Sequence, residues 1–170
     1  VNVMICQSNE SYMAEKRVLH SLISSRVDGL LVSTSRETDR SDHFKPILEK
    51  GIPLVFFDRI MEDLNASQVF TENYEVALEG TEHLIAQGCK RIAIMAGPQH
   101  IFTSRNRFRG YLEALRRNNL PIQESYIVHS HYVNNRVEES TRYLINLPHP
   151  PDAVFAINDY TAIEMMHIMK

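Results

Sequence analysis

The strongest constraint on the fold lies mid-chain, where residues 92–96 read Ile-Ala-Ile-Met-Ala with no polar side chain among them. A strand with one wet face alternates; a run without alternation suits a strand covered on both faces, as happens where helices flank a parallel sheet. Gly97-Pro98 ends the run by turn chemistry. Beyond it Phe108, Tyr111, Leu112 and Leu115 recur at helical spacing, and Thr103 or Ser104 offers an oxygen to cap that helix. The predicted first turn carries Arg105 and Arg107, cations at the end where the macrodipole disfavours them. Basic residues there suit the gripping of an oxygen-rich partner; the alternative is a pair of solvated surface charges.

The same alternation runs through the rest of the chain. Residues 1–6 predict a buried strand, and a helix follows to about residue 26, with Met13, Leu19, Leu22 and Ile23 inward and Ser8 or Asn9 as cap. Residues 27–33 predict a turn into a second buried strand, and a helix over 42–50 stops at Gly51 with Pro53 beyond. The strand predicted at 54–57 delivers Asp58 and Arg59 to its carboxyl end. Ligands of open α/β sheets bind just outside such ends, so Asp58 is a contact candidate, with a simple ion pair to Arg59 or a nearby cation as the other reading. Further on come a brief strand at 68–71, a helix over 72–85 ending at Gly88, a strand at 127–131 and a helix over 135–146. The rigid turn Leu147-Pro-His-Pro-Pro151 leads to a buried strand at 153–157 and a helix over 160–170. The class is therefore α/β, with parallel sheets and right-handed crossovers.

At 170 residues the chain makes one ordinary domain or two small lobes, and 44% apolar content is enough for a core. A formal charge of −3 argues against a general nucleic-acid or anionic-membrane surface, so any DNA contact of the parent protein belongs to another segment. No apolar stretch reaches the roughly 20 residues of a membrane helix. The two cysteines, Cys6 and Cys89, read as isolated thiols of a reducing compartment. Asn9-Glu-Ser11 and Asn65-Ala-Ser67 match a glycosylation triplet that is common by chance.

Four phrases together resemble one family. Residues 91–98 (RIAIMAGP) with the following Ser104, Arg107 and Gly110-Tyr111, residues 27–32 (VDGLLV), residues 51–59 (GIPLVFFDR) and residues 151–166 (PDAVFAINDYTAIEMM) are similar to landmarks of the lactose-repressor (LacI/GalR) family. Its effector domains share the fold of periplasmic sugar-binding proteins. The resemblance covers nearly the whole chain. It implies two doubly wound parallel-sheet lobes of the periplasmic binding protein type I kind, incomplete at both ends. Residues 1–71 would be part of the N-terminal lobe, without its first strand and helix, and 72–170 part of the C-terminal lobe. The chain is then expected to be a portion of a longer polypeptide, or to have its gaps filled by exchange with partner chains.

By the same resemblance Arg107 stands where the family has a ligand-gripping arginine, Asp58 where an aspartate meets the effector, and Tyr132 where relatives often carry an aromatic. Asn158 and Asp159 follow the strand at 153–157, and with the other three they face the cleft expected between the lobes. Carboxylates and amides accept from and donate to hydroxyls, and an aromatic face stacks on an apolar ring, so a sugar or nucleoside suits such a wall. Bland readings stand beside these: Asn158 as a helix cap, Asp159 as a charge favoured by the helix dipole, Tyr132 as a half-buried strand-end residue, and Thr103, a weaker contact candidate, as a cap. The chain departs from the family at Glu72 and Val76, where relatives read the aspartate and glycine of DNxxG and Asn73 keeps the asparagine, and at Glu164, where they carry glycine.

The function implied is that of an effector-binding and dimerisation domain of a cytoplasmic transcription regulator, not an enzyme. A sugar, sugar phosphate or nucleoside closes the lobes, a homodimer grips two half-sites, and DNA is met only through a helix-turn-helix domain outside this chain. A periplasmic sugar-binding protein of a transport system is the alternative, and an α/β enzyme the third class. No GxGxxG, Walker lysine loop, GxSxG, HExxH or paired CxxC motif is present, and no cofactor is indicated. His129 and His131 share one strand face at zinc-like spacing but lack a third ligand nearby, so no metal is assigned.

Overall fold

Two three-stranded parallel sheets carry the architecture in a computed structural model that describes residues 2–129 and 136–170. The chain divides into two compact units, residues 1–71 and 72–170.

The first unit runs α1 (Tyr12–Ser24), β1 (Leu30–Val32), α2 (Lys45–Glu49), β2 (Leu54–Phe57) and β3 (Ser67–Val69), with sheet order β1-β2-β3. Leu30 pairs with Leu54 and Val55 with Ser67, so the three carboxyl ends lie along one edge. Leu19, Phe44, Ile47, Leu54 and Phe56 form its core, and the Phe44 and Phe56 rings meet edge to face at 5.0 Å. The strand expected at residues 1–6 is not found among the described residues: Val3, Met4 and Ile5 are 77%, 61% and 93% exposed. An apolar run becomes a strand only where a neighbour pairs its N–H and C=O groups, and among the described residues β1 pairs with β2 alone. For the same reason Leu31, expected to be buried, is 76% exposed.

The second unit runs α3 (Asn73–Ala86), β4 (Ile92–Ala96), α4 (Phe102–Arg117), a 3-10 turn at Glu124–Tyr126, β5 (Ile127–His129), α5 (Arg136–Ile145), β6 (Ala153–Ala156) and α6 (Asp159–Met169). Its order is β5-β4-β6. All five residues of β4 are buried, as the unbroken apolar run requires. Period-two alternation divides them between two cores. Ile92, Ile94 and Ala96 pack with Tyr111 and Leu115 of α4, whereas Ala93 and Met95 pack with Val137 and Leu144 of α5 and Met165 of α6.

The helices α3 and α4 approach closely at Gly110, where an added Cβ would lie 2.3 Å from the Tyr74 carbonyl oxygen. Tyr111 reaches past this contact, and its hydroxyl donates to the Ile92 carbonyl at 2.8 Å. Four helices end on a left-handed residue, Arg26, Gly51, Gly88 and Asn119; glycine was the readable half of that signal. α4 begins one residue before Thr103, with Ile101 at the N-cap position, so Thr103 and Ser104 lie in the first turn and do not cap it.

Candidate functional site

In the second unit the strand order reverses at β4: the chain passes from β4 to β5 on one side and returns to β6 on the other. Ligands of open α/β sheets bind at the carboxyl ends flanking such a reversal. Three segments meet there. The end of β4 turns at Gly97, where a Cβ would come within 2.6 Å of Ser104 Oγ, so glycine lets the first turn of α4 sit against the strand end. Arg107, one turn further along α4, donates from Nε to Asn73 Oδ1 at 2.8 Å and from Nη1 to the Ile157 carbonyl at 2.6 Å. Asn73 is buried at the start of α3, and Ile157 directly follows β6.

These bonds fix the plane of the guanidinium. Both acceptors are neutral, and Arg107 forms no ion pair among the described residues. A half-buried cation held only by dipoles attracts any carboxylate, phosphate or hydroxyl oxygen that reaches it. Asn158, the residue after Ile157, caps α6: its Oδ1 accepts from the Thr161 N–H at 2.9 Å. Asp159 is exposed at the start of α6, and its Oδ1 accepts from the Tyr160 N–H at 2.8 Å. Thr103 is buried in the first turn of α4. Arg107 and Asn158 are thus brought together through Ile157, Thr103 lies on the same helix, and Tyr132 and His131 fall outside the described residues.

Asp58 belongs to the first unit. It follows β2 at the carboxyl edge of that sheet, exposed and left-handed (φ 59°), with its N–H donating to the Val69 carbonyl at 2.9 Å. The ion pair with Arg59 offered as its bland reading does not form. Arg59 instead grips Glu10 with both Nη atoms, and Nη1 also donates to the Thr34 carbonyl at 3.2 Å. Burial works upward on the Glu10 carboxyl, but Arg59 and the Arg36 N–H outweigh it and hold the group below its ordinary value.

Sequence reasoning missed Asn73 and Glu10. Asn73 stands 34 residues from Arg107 and Glu10 stands 49 from Arg59, separations at which spacing carries no signal. Among the described residues no group of three or more His, Cys, Asp or Glu is placed to hold a metal ion, and no helix is long and apolar enough to cross a membrane.

Comparison with known proteins agrees with this fold. The family described as periplasmic binding proteins and sugar binding domain of LacI family matches residues 1–170. The probable HTH-type transcriptional repressor ExuR of Bacillus subtilis is 33% identical over 147 residues, 86% of this chain and 44% of that protein. The HTH-type transcriptional repressor CytR of Escherichia coli is 29% identical, across 95% of this chain and 47% of the relative. The chain thus spans less than half the length of these relatives. Among solved structures, the transcriptional regulator CelR in complex with cellobiose superposes with a TM-score of 0.79 at 28% identity, covering 94% of this chain and 49% of that one. With its parallel sheets and a family match along its whole length, the chain belongs to the LacI family of periplasmic-binding-protein-like, sugar-binding domains.

Proposed function

We propose that this chain is the effector-binding part of a bacterial transcription regulator, with residues 1–71 and 72–170 as portions of its N-terminal and C-terminal lobes. The effector is a small oxygen-rich molecule: a sugar, a sugar phosphate or a nucleoside. The observation that carries this reading is the guanidinium of Arg107, oriented by Asn73 and the Ile157 carbonyl at a strand-order reversal and paired with no carboxylate among the described residues. Asp58, Asn158 and Asp159, with Thr103 and Tyr132, are the further contacts proposed. Asn158 caps α6 with its Oδ1, which places it directly after the Ile157 carbonyl that holds Arg107.

In this reading the ligand shifts the balance between lobe arrangements, and that shift reaches DNA through a separate helix-turn-helix domain of a cytoplasmic homodimer. The chain itself performs no chemistry. The named relatives are repressors, which supports a regulator over a transport component. The test is a thermal-shift screen of sugars, sugar phosphates and nucleosides, in which a binder raises Tm with concentration. Arg107→Ala is expected to abolish the shift given by the best binder; an undiminished shift in that variant would remove Arg107 from the site.

A further inference from the structure

The first unit holds a buried carboxylate that the effector reading does not use. Glu15, on α1, is only 4% exposed, yet its Oε1 accepts from Thr38 Oγ1 at 2.8 Å and from His43 Nε2 at 2.7 Å, and its Oε2 accepts from the Ser35 N–H. Ser35, Thr38 and His43 are themselves buried. His43 Nδ1 has no hydrogen-bond partner among the described residues, and Nε2 faces Glu15, so the proton on Nε2 is the one the carboxylate accepts. The Tyr12 and Phe44 rings, 4.9 Å and 4.0 Å away, set its plane. A carboxylate taken out of water is costly unless donors surround it. An apolar side chain would fill this inner position of α1 without that burden, so the placement points to a geometric role.

That role concerns residues 34–38, at the carboxyl end of β1. The start of α1 and this loop cap each other. Ser11, the N-cap residue of α1, makes no side-chain cap bond; instead Glu37 Oε2 accepts from the Tyr12 N–H at 2.9 Å. In return Glu10 accepts from the Arg36 N–H at 2.7 Å, next to the Ser35 N–H that Glu15 takes. The loop then backs onto the residue after Asp58: Thr34 N–H donates to the Arg59 carbonyl at 3.4 Å, and Arg59 Nη1 donates back to the Thr34 carbonyl.

We infer that Glu15 is a positioning residue for effector binding: through Ser35, Thr38 and His43 it holds the loop that presents Asp58 at the ligand-facing edge of the first unit. This rests on the effector-binding reading above. It predicts a specific pattern of rescue. In Glu15→Gln the amide oxygen still accepts from Ser35 N–H while the amide NH2 faces His43 Nε2, which moves the imidazole proton to Nδ1. In Glu15→Leu nothing replaces the acceptor.

The experiment uses the ligand-free protein, so its outcome is independent of whether Arg107→Ala loses a ligand response. Amide hydrogen exchange over residues 34–38 is compared with exchange in β4, and imidazole nitrogen shifts report the His43 tautomer. Glu15→Leu is expected to speed loop exchange about ten-fold, the equivalent of one net hydrogen bond, with β4 unchanged. Glu15→Gln is expected to restore protection and to switch the His43 tautomer. Should Glu15→Leu fail to fold, Thr38→Val decides, since it removes one donor from the loop side alone and should speed exchange over residues 34–38 only. Unchanged loop exchange in whichever of these two variants decides, or a Glu15→Gln loop as exposed as that of a folded Glu15→Leu, overturns the inference.

Discussion

Gly110→Ala sets two effects of opposite sign against each other. In a helix interior the change from glycine to alanine is favourable by about 0.8–1.0 kcal/mol, because glycine loses more backbone freedom. At this position the new Cβ would lie 2.3 Å from the Tyr74 oxygen, 2.9 Å from the Leu78 nitrogen and 3.0 Å from Ala77 Cβ, all on α3. Two of the three are backbone atoms and cannot turn aside. Relief requires α3 and α4 to part by about 1 Å, since non-bonded heavy atoms settle near 3.5 Å. Overpacking of this kind typically costs about 1–3 kcal/mol, and three simultaneous contacts place it at the upper end. The net expectation is a loss of about 1–2 kcal/mol, or roughly 5–15 °C in Tm for a unit of this size. Because α3 carries Asn73 and α4 carries Arg107, the same separation lengthens their 2.8 Å bond and should weaken the ligand response as well. Urea unfolding followed by far-UV circular dichroism measures the first effect and thermal shift the second. A variant more stable than the parent by the helix-propensity gain would refute the close approach.

Arg107→Ala should cost about 1–3 kcal/mol in unfolding free energy besides the ligand response, since it removes two charged-donor hydrogen bonds at a partly exposed site. Asn158→Ala should lower stability by about 1 kcal/mol through loss of the cap, whereas Asn158→Asp keeps the cap and isolates the ligand effect. Burial raises the Tyr111 phenol above its ordinary 10.0, so the folded form holds its proton more tightly than the unfolded chain. Its contribution to stability is therefore complete below pH 10.0 and falls as pH rises past it, and Tyr111→Phe should flatten that alkaline decline in urea titrations. The opposite sign holds for Glu10, whose lowered carboxyl gives a contribution complete above pH 4.5 and lost as pH falls below it; Glu10→Gln should flatten that acid limb.

The legible parts of the fold were those whose physics is local. β2 and β4 stand where the unbroken apolar runs put them, and α2 and α3 stop at Gly51 and Gly88 because a left-handed helix end favours glycine. Arg26 and Asn119 end α1 and α4 in the same conformation without that marker. Residues 2–6 were misread because an apolar run states a preference for burial and says nothing about whether a neighbouring strand is there to satisfy its backbone. The cap of α4 was misread for a related reason. Thr103 and Ser104 have cap chemistry, but the Ile101 N–H closes a turn onto the Pro98 carbonyl and the helix starts before either residue. Of the candidate site, Asp58, Arg107 and Asn158 are proposed from position at strand ends and a helix start and from resemblance. Asn73, which holds Arg107, and Glu10, which holds Arg59, carried no such signal, because each acts across a long separation in sequence.

Two arginines, Arg59 just after β2 and Arg107 on α4, show why residue type alone leaves the site half read. They carry the same charge. Glu10 takes both Nη atoms of Arg59, and that cation is neutralised within its own unit. Arg107 is held by an amide oxygen and a backbone carbonyl, which fix its direction and leave its charge uncompensated. The first unit also presents Asp58 with no ion pair among the described residues, an acceptor suited to hydroxyl donors and hostile to anions.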